Sequence, residues 1–124
     1  MAVTETIPTG ASWQYAAGSG GIADTSDVTL AAAPAAGQRN YLCALQIFNA
    51  DATVNTEVVI KDGSTVLWRM MFPAGRVAST QFEQPSSFVF PAAIRQPTAA
   101  TALTAAAITT SGEVYINAQG YIGT

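Results

Sequence analysis

The chain predicts an all-β fold, a jelly-roll-like β-sandwich or barrel of about eight short antiparallel strands with an extended N-terminal arm, and three observations carry that expectation. Alanine supplies 24 of the 124 residues, but it is accompanied by 15 threonines and by Val, Ile and Tyr. Leu, Lys, Glu and Arg are too few for amphipathic helices. Short apolar runs recur between Gly, Pro, Asn and Asp turn signals. One hairpin is explicit: residues 57–61 and 65–72 flank Asp62-Gly63-Ser64, and Asp-Gly readily takes the φ > 0 conformations of a tight turn.

Taken in order, residues 1–12 (MAVTETIPTGAS) have no periodicity and contain Pro8 and Gly10, so they read as an arm ahead of one domain at 13–124. A first strand is expected at 13–17, a Gly-rich turn at 18–21, a polar turn at 24–27 and a second strand at 28–33. Residues 39–49 make the best strand. Tyr41, Cys43, Leu45 and Ile47 should point one way, and Leu42, Ala44, Gln46 and Phe48 the other. With both faces largely apolar, that strand should be central or covered by another subunit. In 65–72, alternation gives Trp68, Met70 and Phe72 to the core and puts Arg69 and Met71 outside. Residues 76–83 alternate weakly, and 86–89 lead into Phe90-Pro91, where proline marks an edge strand or a strand end. Residues 94–97 continue irregularly. A strand with small residues on both sides is expected at 100–109. The last, at 113–122, sets Val114, Ile116 and Ala118 against Tyr115, Asn117 and Gln119. Tyr41, Leu45, Trp68 and Phe90 are expected in the apolar interior.

Composition removes most chemistry. The chain has no histidine, one cysteine (Cys43), 10% charged residues against 49% hydrophobic, and a net charge of −3. No internal disulfide is possible. A Ser-His or Cys-His nucleophile pair cannot be built within one chain, nor can a histidine or four-cysteine zinc site. An enzyme is not expected, and no cofactor or metal is expected. The five basic residues (Arg39, Lys61, Arg69, Arg76, Arg95) are scattered, which argues against nucleic acid. No run reaches the roughly 18 apolar residues of a membrane span. Residues 1–10 lack the basic and apolar regions of a signal peptide, so synthesis in a cytoplasm without export is expected.

Gly18-Ser19-Gly20-Gly21 lacks the Gly-Lys-Ser/Thr ending of a phosphate loop and reads as a flexible turn. Asp24 and Asp27 lack calcium-loop spacing, and a carboxylate turn is favoured. Cys43 reads as a buried small apolar residue. Met71 divides evenly between core and interface; exposed Met and Arg are enriched where proteins meet, so Met71 and Arg69 are interface candidates. Trp13 and the arm residues Thr4, Thr6, Ile7 and Pro8 complete that set.

The chain resembles a widespread group of small structural proteins of tailed bacteriophages. The resemblance spans roughly 12–123 and rests on SWQYAAGSGGI, DVTLAAAPAAGQRNYLCALQI, VVIKDGSTVLWR and GEVYINAQGYIG, with GQRNYL, LQI and YINAQGY its most specific parts. Cys43 and the Met70-Met71 pair stand apart from the pattern. The resemblance implies a capsid decoration or cement protein, located on the virion surface and made in the host bacterial cytoplasm. It also implies a homotrimer bound to the outside of the head, with the major capsid protein as partner. The alternative is a carbohydrate- or receptor-binding module of a head fibre or tail, for which Trp13, Tyr15, Tyr115 and Tyr121 are candidate contacts.

Overall fold

Val114, Ile116 and Ala118 are buried as the alternation requires, and they lie in the middle of one of two packed sheets. The computed structural model describes residues 12–78, 81–82, 86–109 and 113–124, with only the backbone described at 76–78 and 81–82. Its strands are β1 (Ser12–Tyr15), β2 (Val28–Ala31), β3 (Arg39–Asn49), β4 (Thr56–Asp62), β5 (Thr65–Phe72), β6 (Arg76–Ala78), β7 (Gln81–Phe82), β8 (Ser86–Arg95), β9 (Leu103–Ala107) and β10 (Val114–Gly123). No helix occurs among the described residues.

One sheet has the order β1-β10-β3-β8 and the other β2-β9-β4-β5; β6 and β7 form a separate ribbon. Every pairing is antiparallel. The pairing is nested: β1 with β10, β2 with β9, β3 with β8 and β4 with β5. The chain is thus a long hairpin folded over on itself into an all-β sandwich. At its tip is the anticipated Asp-Gly turn, with Gly63 at φ 58°.

The core lies between the sheets. Leu42, Leu45 and Ile47 of β3 and Ile116 of β10 meet Val58 and Ile60 of β4 and Leu103 and Ala105 of β9. Each fully buried Leu, Ile or Val side chain contributes about 1.5–3 kcal/mol. The small residues of β9 let that central strand sit close under its neighbours, and Ala105, Ala106 and Ala107 are all buried. Along one side the sandwich is closed by rings from both sheets. Trp68 meets Phe88 edge-on at 5.3 Å between centroids, and Phe72 meets it at 6.3 Å.

Several expectations are corrected. The alternation of β3 breaks at Cys43: Gln119 pairs with Ala44 and Gly120 with Leu42, leaving Cys43 as an extra residue. Leu42, Leu45 and Ile47 therefore face inward, while Tyr41 leaves the core and stacks on Tyr121 at 4.7 Å. Cys43 is half-buried rather than buried. Leu45 holds its expected place, and Trp68 and Phe90 are half-buried against the core. Met70 is 41% exposed, because β5 is an edge strand and Leu67 is a second extra residue there. The edge position expected near Pro91 is found, but the strand does not stop. β8 runs on to Arg95, with residues 90–93 bulging opposite Cys43 between the pairs Leu42–Ile94 and Ala44–Val89. Residues 94 and 95 are thus in a strand. The arm, including Thr4, Thr6, Ile7 and Pro8, lies outside the described residues, and β1 already begins at Ser12.

Candidate functional site

The two sheets present outer faces of different chemistry. On the β2-β9-β4-β5 face, Asp27 meets Lys61 and Glu57 meets Arg69. The Lys61 ammonium lies 2.6 Å from the Asp27 carboxylate, and an Arg69 Nη donates to Glu57 Oε1 at 3.1 Å. Val59 and Ala106, paired with each other on the same face, are buried although they point outward. Beside them Met71 is 55% and Ile108 48% exposed, in a row that crosses Glu57. Arg69 and Met71 therefore lie together on an accessible face, as their alternation predicted.

Trp13 is elsewhere. It sits on β1, at the far edge of the other sheet, half-buried against the core, and its indole Nε1 donates to the Tyr121 carbonyl at 3.3 Å. Tyr15 packs beside it on the core side. Of the sugar-contact candidates, Tyr115 and Tyr121 lie on the outer face of β10, and Tyr115 donates its hydroxyl to Glu113. The expected residues thus do not converge on one site.

Sequence reasoning missed the outer face of the β1-β10-β3-β8 sheet. Gln14, Gln119, Ala44 and Val89 form one row across four strands, and Asn117, Gln46 and Ser87 form a row two residues away. Between them lies a shallow depression of about 250 Å³, and a second of about 380 Å³ adjoins it beside Ser12 and Cys43. The bulges position this trough. They put both Cys43 and Ala44 on the outer side and let the Gly120 backbone approach Trp13 and Tyr41 so closely that no β-carbon fits. Single-strand alternation carries no sign of such a bulge.

Burial pushes the Cys43 thiol up, so it is protonated and a poor nucleophile at neutral pH. Burial, then Cys43 and Tyr41, push the Tyr121 phenol up. The Tyr41 hydroxyl donates to the Thr124 carbonyl and accepts from Arg95 Nε at 3.1 Å.

The other sequence candidates have structural roles. Gly18 to Gly21 is a turn closed by the Gly21 amide donating to the Gly18 carbonyl at 3.0 Å. Asp24 accepts from the Ser26 amide at 3.0 Å, and Asp27 is held by Lys61. Among the described residues no group of three or more His, Cys, Asp or Glu could hold a metal ion. A buried polar clasp joins the ends of several strands. Asp62 accepts from Gln96 Nε2 at 2.9 Å and from the Thr98 hydroxyl at 2.7 Å, and Gln96 Oε1 accepts from Asn40 Nδ2 at 3.2 Å. Burial raises the Asp62 carboxyl, but the hydrogen bonds from Gln96 and Thr98 outweigh it and hold the group below its ordinary range. No protein-family model, no curated protein and no solved structure matches the chain.

Proposed function

We propose that the protein is a structural component of a tailed-bacteriophage virion: a capsid decoration or cement protein that binds the outside of the assembled head as a homotrimer. The observation that carries this reading is the exposed Met71 and Ile108 beside Arg69 on the β2-β9-β4-β5 face, in a chain with 10% charged residues. Met and Arg are enriched at protein interfaces, and the ion pairs on this face would enter an interface already matched. The nested pairing of first strand with last in an all-β sandwich supports a jelly-roll-like reading, and the sequence resembles small phage structural proteins. The major capsid protein is the proposed partner, with the part of the arm that precedes β1 reaching a neighbouring subunit.

A small subunit of this kind works by linkage. Binding the assembled lattice and not its free subunits favours assembly by RT ln(1 + [L]/Kd), about 2.7 kcal/mol per site at a hundredfold excess over Kd. The test uses particles lacking the protein, heated alone and after addition of wild-type or Met71→Asp protein. Genome release should occur at a lower temperature without the protein, recover with wild type and recover less with Met71→Asp. Particles equally heat-stable without it, yet unable to adsorb to cells, would replace this reading with the receptor-binding one.

A further inference from the structure

We propose that the trough on the outer face of the β1-β10-β3-β8 sheet is a binding site for a neutral saccharide, separate from the Met71 face. Its walls are amides arranged as two cross-strand pairs, Gln14 with Gln119 and Gln46 with Asn117. Each pair bridges adjacent strands, about 4.8 Å apart, and the two pairs are two residues apart along them. The side-chain amides of Gln14, Gln46 and Gln119 have no hydrogen-bond partner among the described residues. Asn117 is oriented: its Oδ1 accepts the Ala17 amide at 3.0 Å, which leaves its NH₂ as a donor.

An amide offers a donor and an acceptor side by side, and so do two neighbouring hydroxyls of a sugar ring. The apolar part of the surface suits the same ligand. Ala44 leaves room beside the amide pairs, next to Gln119 in its row, and Val89, 79% exposed, can cover the C–H face of a ring. Beyond the second depression the stacked Tyr41 and Tyr121 continue the face. No residue lining either depression carries a formal charge at neutral pH. The Arg95 Nε at the tyrosine end already donates to Tyr41. That bond to a neutral phenol leaves the Arg95 charge in place, but outside both depressions; within them a carboxylate or sulfate on the ligand would lose its water for no counter-charge, so the depressions select neutral sugars. Among the described residues the other outer face lacks such a cluster of amides, and its charged side chains Asp27, Lys61, Glu57 and Arg69 are paired as ions.

The experiment titrates isotopically labelled full-length protein with maltohexaose, cellohexaose and chitohexaose, and with oligogalacturonate as the charged control, following amide resonances by NMR. At least one neutral hexasaccharide should shift the side-chain amides of Gln14, Gln46, Asn117 and Gln119 at millimolar concentration. Oligogalacturonate should not. Gln46→Ala with Gln119→Ala should weaken binding about tenfold or more, as expected for several lost hydrogen bonds. Ala44→Phe, which fills the trough from an outward position, should abolish binding while the remaining spectrum stays folded. The proposal is overturned if no neutral hexasaccharide binds, if the shifts map to the Met71 face, or if the charged control binds equally. It is also overturned if Val89→Asp shows the trough to be occupied by a second copy, by converting an oligomer to a smaller species. Because the isolated protein is used, the result is independent of whether it decorates a capsid.

Discussion

The two sheets share one core but differ in where their ladders break. In β2-β9-β4-β5 the extra residues, Leu30 and Leu67, lie on the edge strands β2 and β5, and the central β9–β4 ladder is unbroken from Val58–Ala107 to Asp62–Leu103. In β1-β10-β3-β8 the break falls in the central pair, at Cys43 opposite Gln119 and Gly120. The sheet with the continuous central ladder carries two ion pairs on its outer face. The broken sheet has both depressions on its outer face. A central bulge bends and twists its strands, and that curvature makes a trough from residues that would otherwise be a flat, solvated surface.

The comparison is broken most directly at Ile60 and Gly120. Ile60→Ala removes a fully buried side chain from the regular ladder and should cost about 2–5 kcal/mol, read from chemical denaturation. Gly120→Ala adds only a methyl group, yet its β-carbon would overlap the Tyr41 carbonyl oxygen and the Trp13 ring. Backbone cannot retreat as a flexible side chain can, so the cost should reach at least the upper end of the roughly 1–3 kcal/mol range for overpacking. A Gly120→Ala protein of wild-type stability would show that β10 and β3 do not approach as closely as the bulge requires. Trp68→Ala comes next. The ring is half-buried at the seam where the sheets meet, contacting Phe72 and Phe88, so the loss should lie near the lower end of the roughly 3–5 kcal/mol range for large aromatics. No change in the unfolding midpoint would mean that the seam is open.

How much of this was legible follows the same division. The hairpin at Asp62-Gly63, the spans of β3 and β5, and the inward set Val114, Ile116 and Ala118 could be read because local pattern and tertiary position agree there. The placement of Arg69 and Met71 on one outer face followed from the same alternation. Tyr41 and Cys43 were misplaced because one inserted residue reverses every side-chain direction beyond it. The continuation of β8 through Pro91 was hidden because proline on an edge strand, with the ladder interrupted there, loses nothing by lacking an N–H. The trough was invisible for a different reason. Gln14, Gln46, Asn117 and Gln119 are ordinary surface residues singly, and only the pairing register gathers them.

The smallest expected effect concerns what holds the unlike sheets together. Asp62 ends β4 in one sheet, and its carboxylate accepts hydrogen bonds from Gln96 and Thr98, which follow β8 of the other. Its folded pKa lies below its unfolded one, so the folded state binds the proton less well than the unfolded chain does. The resulting stability is fully present above the unfolded carboxylate range, near pH 4, and is lost as pH falls through the folded value. Denaturation midpoints measured from neutral pH down into the acid range should therefore fall with acidification. In Asp62→Asn, stability at neutral pH should be lower and the acid-dependent fall shallower, because the amide keeps an acceptor oxygen but has no proton to gain. Equal acid slopes in the two proteins would assign the acid sensitivity to other carboxylates and leave the clasp as neutral hydrogen bonding. A shallower slope would assign that part of the acid sensitivity to the Asp62 carboxylate, whose hydrogen bonds to Gln96 and Thr98 link the end of β4 to the segment that follows β8.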